Sequence, residues 1–178
     1  MATILLARHG ETDWNREGRW QGWADPPLND TGRAQARALA DELLDVPFDA
    51  VYSSDLRRAH ETAEIVAEPH GVPVVADRGL REIDIGSWSG LTHDEIRERF
   101  PDGSRPDGET HEQHAARVRE TVLRIARANA GRRILLVSHG GTFRSVHDVV
   151  SDEPYRPVAN CAVLEVHLRD DRLTLPIG

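Results

Sequence analysis

The amino-acid sequence predicts an α/β fold, a mostly parallel or mixed sheet covered by helices on both faces. Two observations carry that prediction. Short continuous apolar runs alternate with segments whose apolar residues recur at helical spacing, the pattern of a sheet buried between helices. The two strongest runs, Ile4-Leu5-Leu6-Ala7 and Ile134-Leu135-Leu136-Val137, each stop just short of a His-Gly pair. The phrase "ILLARHGETDWN" thus returns as "ILLVSHGGTF", with one offset of 130 (139 minus 9) relating His9 to His139, Gly10 to Gly140 and Thr12 to Thr142.

The elements follow in order. "TILLA" reads as a buried strand. After a Gly/Trp/Pro-rich loop, Ala36, Leu39, Ala40, Leu43 and Leu44 share a helical face, giving a helix over about 32–44 with Thr31 as a candidate cap. "DAVYSS" is a second strand, followed by a helix over about 56–68 that Pro69 and Gly71 stop. "VPVVA" is a short third strand, and "DRGLREIDIGSWSG" is a loop without clean periodicity. Thr92 with Glu95, and Thr110 with Gln113, have capping-box spacing and open two further helices on either side of the surface loop "PDGSRPDG". "RRILLVS" is the fourth strand, a helix starts near Thr142, and "AVLEVHL" with "RLTLPI" closes the chain as a hairpin. That last strand offers an edge at which a second copy, making a homodimer, would pair.

Length and composition bound the function. The 178 residues suit one domain, 1–178, with a substantial core. Hydrophobic content of 39% with 29% charged residues is that of a soluble globular protein, and no apolar run is long enough to span a bilayer. No charged-then-apolar leader precedes Thr3, so a cytoplasmic location is expected. A net charge of −8 argues against nucleic acid and anionic membranes as partners. The single cysteine, Cys161, excludes an internal disulfide; "NCAVLEV" suggests a buried small residue at a strand start, not a nucleophile. All 22 basic residues are arginine. Without lysine there is no Schiff base and no lysine-bearing phosphate loop, so any bound anion must be held by arginine, histidine or backbone N–H groups.

Ligands of open α/β sheets bind outside the carboxyl ends of the strands, so His9 and His139 would face one crevice if their strands are neighbours. Arg8 precedes His9, and Gly10 allows a tight turn. A third element, "SSDLRRAHETA", places Arg57 and Arg58 at a helix start, where cations are disfavoured unless something negative sits with them. Either the pair is exposed and ion-paired, or it clamps a phosphate, for which the planar guanidinium fork is suited. His60, His70, His93, His111, His114 and His147 have polar neighbours and are expected at the surface. His111 and His114, flanked by Glu109 and Glu112, have the spacing of a metal pair, but a solvated helix start accounts for them as well, and no zinc-ligand spacing occurs.

Four motifs in this order, "ARHGETDWN", "SSDLRRAHETA", "LREIDIGSWSG" and "VSHGGT", resemble the phosphoglycerate-mutase-like branch of the histidine phosphatase superfamily, over residues 3 to 150. The resemblance implies a three-layer α/β/α sandwich and a reaction that needs no metal or other cofactor. His9 would be the nucleophile, forming a phosphohistidine that water hydrolyses, with its other ring nitrogen donating to a local backbone carbonyl. Arg8, Arg58 and His139 would surround the phosphoryl oxygens. Glu82 would protonate the leaving oxygen, with Asp84 as the nearby rival. Such an acid beside two arginines has to be partly buried to keep its proton. Ser89 stands where many relatives carry an acid. Asn15, Gln21 and Gly22 match positions at the phosphate or its rim, and Gly140 offers a backbone N–H. Trp14, Trp20, Trp23 and Trp88 either line the entrance or pack under loops, and the outer pocket is expected from residues 20–28 and 100–112.

The same motifs serve mutases and phosphatases. Mutases of this kind carry a long insertion after the proton donor, with paired basic residues for a second phosphate. Here about 27 residues separate Glu82 from Glu109, and Arg97, Arg99 and Arg105 form no adjacent pair. The resemblance therefore implies a small bacterial-type phosphatase acting on a small phosphorylated metabolite. A phosphoglycerate mutase, a phosphate-binding module without turnover, and a metal-dependent hydrolase with the two histidines as ligands are the alternatives.

Overall fold

The computed structural model describes residues 1–176; Ile177, the last residue of the predicted closing strand, lies outside them. Strand β1 (Ala2–Arg8) carries the chain to His9, and a single turn, α1 (Asp13–Arg16), follows. Next come α2 (Asp30–Glu42), β2 (Ala50–Ser53), α3 (Arg57–Ala67) and β3 (Val74–Ala76). After a loop with short 3-10 turns come α4 (His93–Arg99), α5 (His111–Ala128), β4 (Arg133–Ser138), α6 (Gly140–Val150) and the hairpin β5 (Val163–Arg169) with β6 (Arg172–Thr174). No helix among the described residues is long and apolar enough to cross a membrane.

The strands form one mixed sheet in the order β3-β2-β4-β1-β5-β6. Strands β1, β2, β3 and β4 run parallel, whereas β5 is antiparallel to β1 and to β6. The two echoed phrases are neighbours in exact sequence register in the sense of their offset: Ile4 pairs with Ile134, Leu6 with Leu136 and Arg8 with Ser138. His9 and His139 therefore leave the sheet side by side.

Alternation along β1 and β4 divides the core into two layers. Ile4, Leu6, Ile134 and Leu136 pack with Val118, Val122 and Ile125 of α5 and Phe143 and Val146 of α6. Leu5, Ala7, Leu135 and Val137 pack on the opposite face with Leu39 of α2 and Ala59, Ala63 and Val66 of α3. Both faces of the central strands are dry, which is why their sequence is a continuous apolar run and not an alternating one. Each leucine or isoleucine so buried contributes about 1.5–3 kcal/mol relative to exposure.

Local signals set most helix ends. Thr92 and Thr110 each accept from the backbone N–H of Glu95 and Gln113, and those side chains return the bond, so both expected capping boxes form. Helix α2 starts earlier than its periodicity predicts, because Asn29 and not Thr31 is its cap; Asn29 Oδ1 accepts from the Gly32 N–H at 2.8 Å. Cys161 sits in the turn before β5 with φ +59° and is half-buried, not buried within a strand start. Its thiol is pushed up to about 11 by burial, which leaves it protonated.

The segment after β1 touches the start of α2 at backbone distance. A Cβ on Gly32 would lie 2.1 Å from the Glu11 carbonyl oxygen and 2.7 Å from the Glu11 nitrogen. Neither backbone atom can move without displacing the residues that follow His9. Gly32→Ala is therefore expected to cost about 1–3 kcal/mol of stability through overpacking. Denaturant unfolding measures it, and an unchanged midpoint would show that the two segments do not pack this closely.

Candidate active site

The carboxyl ends of β1, β2 and β4 open onto a cleft of about 600 Å³. His9 is 3% exposed and His139 fully buried, with ring centroids 5.2 Å apart at an interplanar angle of 60°. The Gly10 carbonyl lies 2.7 Å from His9 Nδ1. A carbonyl only accepts, so Nδ1 carries the proton and Nε2 keeps a free lone pair. Burial, then the Arg58 and Arg8 charges, hold the His9 ring well below its usual pKa and outweigh the Gly10 bond. Burial and the same two arginines hold His139 low as well. Both rings are neutral at pH 7.

The adjacent arginines of "LRRA" part company. Arg57 is exposed, and its N–H donates to Asp25 Oδ1 at 2.7 Å, which supplies the negative group that the start of α3 needs. Arg58 is 1% exposed. Its Nη1 donates to the Ala24 carbonyl at 2.8 Å and its Nη2 to the Gly22 carbonyl at 2.9 Å, so it pins the loop before α2. Desolvation pulls its pKa down to about 10, still a cation at neutral pH. Arg8 donates from Nη1 to the Val158 carbonyl at 2.5 Å. The Nε of each arginine and both ring nitrogens of His139 are buried without a protein partner.

Glu82 enters from the loop after β3. Its Oε1 accepts from the Ile83 N–H at 2.9 Å and its Oε2 from the Gly141 N–H, in the first turn of α6, at 3.2 Å. A Cβ on Gly141 would lie 2.1 Å from Glu82 Oε1, so a larger residue there would push the carboxylate out of this position. The loop itself is anchored. Arg117 donates to the carbonyls of Gly79, Arg81 and Glu82 at 3.0–3.1 Å while gripping Glu109 with two bonds of 2.6 and 2.7 Å. Asp84 does not line the cleft; its Oδ1 caps the Gly86 N–H.

Asn15, Gln21, Gly22 and Gly140 all line the cleft. Asn15 Oδ1 accepts from the Thr12 N–H at 3.1 Å, and Gln21 Oε1 accepts from the Thr12 hydroxyl at 3.1 Å, so one threonine orients both amides. Of the four tryptophans, Trp14 and Trp20 line the cleft. Trp23 donates instead to the Glu82 carbonyl at 2.8 Å, and Trp88 packs edge-on against Trp20. From the expected outer segment 100–112 only His111 and Glu112 reach the cleft.

A model of the histidine phosphatase superfamily (branch 1) matches residues 4–176. The chain belongs to this superfamily. It is 37% identical over 185 residues to a metal-independent phosphoserine phosphatase of Arabidopsis thaliana, covering 95% of this chain and 77% of that protein. It is 39% identical over 161 residues to phosphoglycerate mutase-like protein 4 of the same plant, covering 83% of this chain and 70% of that one. The solved structure of Bacillus stearothermophilus YhfR superimposes with a TM-score of 0.92 at 34% identity, over 99% of this chain and 96% of that one.

In this histidine phosphatase superfamily member, sequence reasoning missed four supporting residues. Thr62 accepts from the Gly10 N–H at 3.0 Å and donates to the Arg58 carbonyl at 2.6 Å, tying the two motifs together. Tyr155 lies 3.3 Å from the Gly140 carbonyl, and Arg117 holds the Glu82 loop. The fourth, His114, is not at the surface as expected: it is 3% exposed and lines the cleft. His93 and His111 are exposed as expected, while His60, His70 and His147 are half-buried.

His9, His114 and His139 all have pKa values lowered by burial. The unfolded chain therefore binds more protons than the folded one below the ordinary histidine value of 6.5, and stability falls as pH drops through it. Each ring contributes a slope of up to about 1.4 kcal/mol per pH unit. Thermal unfolding between pH 7.5 and 5 should show the loss, and His139→Gln should flatten it; parallel curves for the two proteins would contradict a neutral, buried His139.

Proposed function

We propose that the chain is a metal-independent phosphomonoesterase, one catalytic domain acting on a small phosphorylated metabolite through a phosphohistidine at His9. The supporting observation is the pairing of a free His9 Nε2, its tautomer set by the Gly10 carbonyl, with unpartnered N–H groups of Arg8 and Arg58 in the same cleft.

The reaction runs in two displacements. His9 Nε2 attacks phosphorus in line and forms the P–N bond while the P–O ester bond breaks. Glu82 passes its proton to the leaving oxygen, giving the free alcohol. Arg8, Arg58 and His139 hold the three phosphoryl oxygens, and the Gly140 N–H and the amides of Asn15 and Gln21 stand at the rim. Water then attacks phosphorus, giving a proton back to Glu82, and the P–N bond breaks to release phosphate and neutral His9. Through both steps Gly10 keeps Nδ1 as the donor, so the ring never has to change tautomer.

The phosphatase reading is preferred over the mutase because Arg97, Arg99 and Arg105 all stay out of the cleft. Arg97 pairs with Asp94, and Arg105 lies over Trp88 and donates to the Glu109 carbonyl. A second phosphate would find none of the three, and the two further arginines that line the cleft are matched by acids, Arg19 by Glu17 and Glu95 and Arg144 by Asp148. The phosphoserine phosphatase named among the relatives also supports a small phosphomonoester as substrate.

Phosphate release from p-nitrophenyl phosphate should survive excess EDTA and vanish in His9→Ala. Abolition by EDTA would instead mean that the histidines are metal ligands. Arg58→Ala should lower kcat by at least about 10²–10³-fold, the usual cost of one preorganised donor. Glu82→Gln should slow alkyl phosphates far more than p-nitrophenyl phosphate, whose leaving group departs without a proton. Equal slowing of both would remove the proton-donor role from Glu82.

A further inference from the structure

In and around the cleft, five buried side-chain nitrogens have no protein partner: Arg8 Nε, Arg58 Nε, both ring nitrogens of His139, and His114 Nε2. A buried polar atom left unpaired costs about 1–3 kcal/mol, so each calls for a partner outside the chain. The first four belong to the phosphoryl clamp proposed above. His114 does not. It comes from α5, whereas the clamp stands on the ends of β1 and β4 and the start of α3.

The placement of His114 says which part of a substrate it faces. Its Nε2 lies 3.9 Å from Glu82 Oε1, too far for a hydrogen bond but on the side of the cleft where Glu82 meets the leaving oxygen. Its Nδ1 lies 3.3 Å from Ser145 Oγ on α6. The Cβ that Gly141 lacks would stand 3.0 Å from His114 Cε1, so the glycine that admits the Glu82 carboxylate also admits this ring. The Arg81 carbonyl is the ring's backbone neighbour, and the Ser145 hydroxyl is free to donate to Nδ1, the arrangement that puts the ring proton on Nε2, toward the carboxylate side of the cleft. Besides Glu82 and Ser145, the charged and titratable groups that act on the ring are Arg117, Glu109 and His139. Burial keeps it neutral, so it offers a single N–H.

We propose that His114 is a specificity-determining residue whose Nε2–H donates to an oxygen of the leaving group. The preferred substrates are then phosphomonoesters of an alcohol that carries a hydroxyl or carboxylate oxygen about three bonds from the scissile oxygen. This rests on the phosphatase reading, which places the leaving oxygen at Glu82. A group within hydrogen-bond reach of Nε2 lies only a short alkyl link away from an oxygen at Glu82. A site built to pair with such an oxygen discriminates against the analogue that lacks it, because the buried N–H is then left unpaired.

A matched series tests this: ethyl phosphate, 2-hydroxyethyl phosphate and 2-phosphoglycolate, which differ only in the group that would meet His114. Wild type should favour at least one of the two oxygen-bearing esters over ethyl phosphate by tenfold or more in kcat/KM, and which one it favours separates hydroxyl from carboxylate recognition. In His114→Val that ratio should fall toward one. His114→Gln, which keeps an N–H near the position of Nε2, should restore part of it. A wild-type ratio near one, or a proportional loss on all three esters in His114→Val, overturns the proposal. Calorimetric binding of the same esters to His9→Ala and to His9→Ala/His114→Val gives the ratios independently of turnover. If wild type hydrolyses none of them, the phosphatase reading fails, and the dissociation constants still decide the role of His114.

Discussion

A fully buried guanidinium, Arg58, and a half-buried one, Arg8, set beside two neutral imidazoles are the constraint on which the rest of this structure depends. Taking a cation out of water is costly unless hydrogen bonds replace its hydration. Here the replacements are mostly backbone carbonyls: Val158 for Arg8, and Gly22 and Ala24 for Arg58. Carbonyls supply hydrogen bonds without a full negative charge, so the positive field stays available to an incoming anion. A carboxylate paired directly with either arginine would have spent that field inside the protein. The nearest acid, Glu82, is instead held by the N–H groups of Ile83 and Gly141. A chain with net charge −8 thus keeps a small positive interior facing its cleft.

The same bonds that satisfy Arg58 give the surrounding loop its shape. Residues 22–24 are fixed on its guanidinium, Thr12 fixes Asn15 and Gln21, and Thr62 links Gly10 to the Arg58 carbonyl. On the other side, Arg117 grips three carbonyls of the segment 79–82 and Trp23 donates to the Glu82 carbonyl. Catalytic-type side chains on loops are placed well only when a second set of residues leaves them no alternative. The site is therefore a network with two anchors, one on α3 and one on α5, joined through the sheet. Glycine is part of that design where the anchors meet, since Gly141 lets the Glu82 carboxylate and the His114 ring share the first turn of α6.

Much of the fold and the centre of the site were legible in the sequence, because the signals there are local. Continuous apolar runs mark strands buried on both faces, Thr-x-x-Glu and Thr-x-x-Gln mark helix starts, and an Arg-His-Gly after an apolar run marks a strand end. The echo of Ile4-Leu5-Leu6 in Ile134-Leu135-Leu136 even carried the pairing register, as the common offset of 130 (139 minus 9) is realised residue by residue between β1 and β4. Local reading failed where two competing caps lay side by side. Asn29 and Thr31 both suit a helix start, and the cap is Asn29, whose backbone is extended and whose N–H donates to the Glu11 carbonyl at 3.0 Å while its Oδ1 accepts from the Gly32 N–H.

By itself, then, the sequence determined the strand and helix types, the absence of lysine from any anion site, and the presentation of His9 and His139 at strand ends; its family resemblance added Arg8, Arg58 and Glu82 as a group with them. Only the tertiary structure decided which polar residues of α5 face inward. His111 and His114 are alike in sequence, both polar-flanked and one turn apart, yet one is exposed and the other is buried against Glu82. The difference comes from their places along α5: both lie on the face that packs Val118, Val122 and Ile125 onto the sheet, but His111 is the first residue of the helix, at the rim, whereas His114 is a turn further in and is covered beside Ser145 of α6. Burial of a single side chain is a property of how two elements meet. Helical spacing marks the apolar face of α5, and the meeting of α5 with α6 decides which histidine on it is covered.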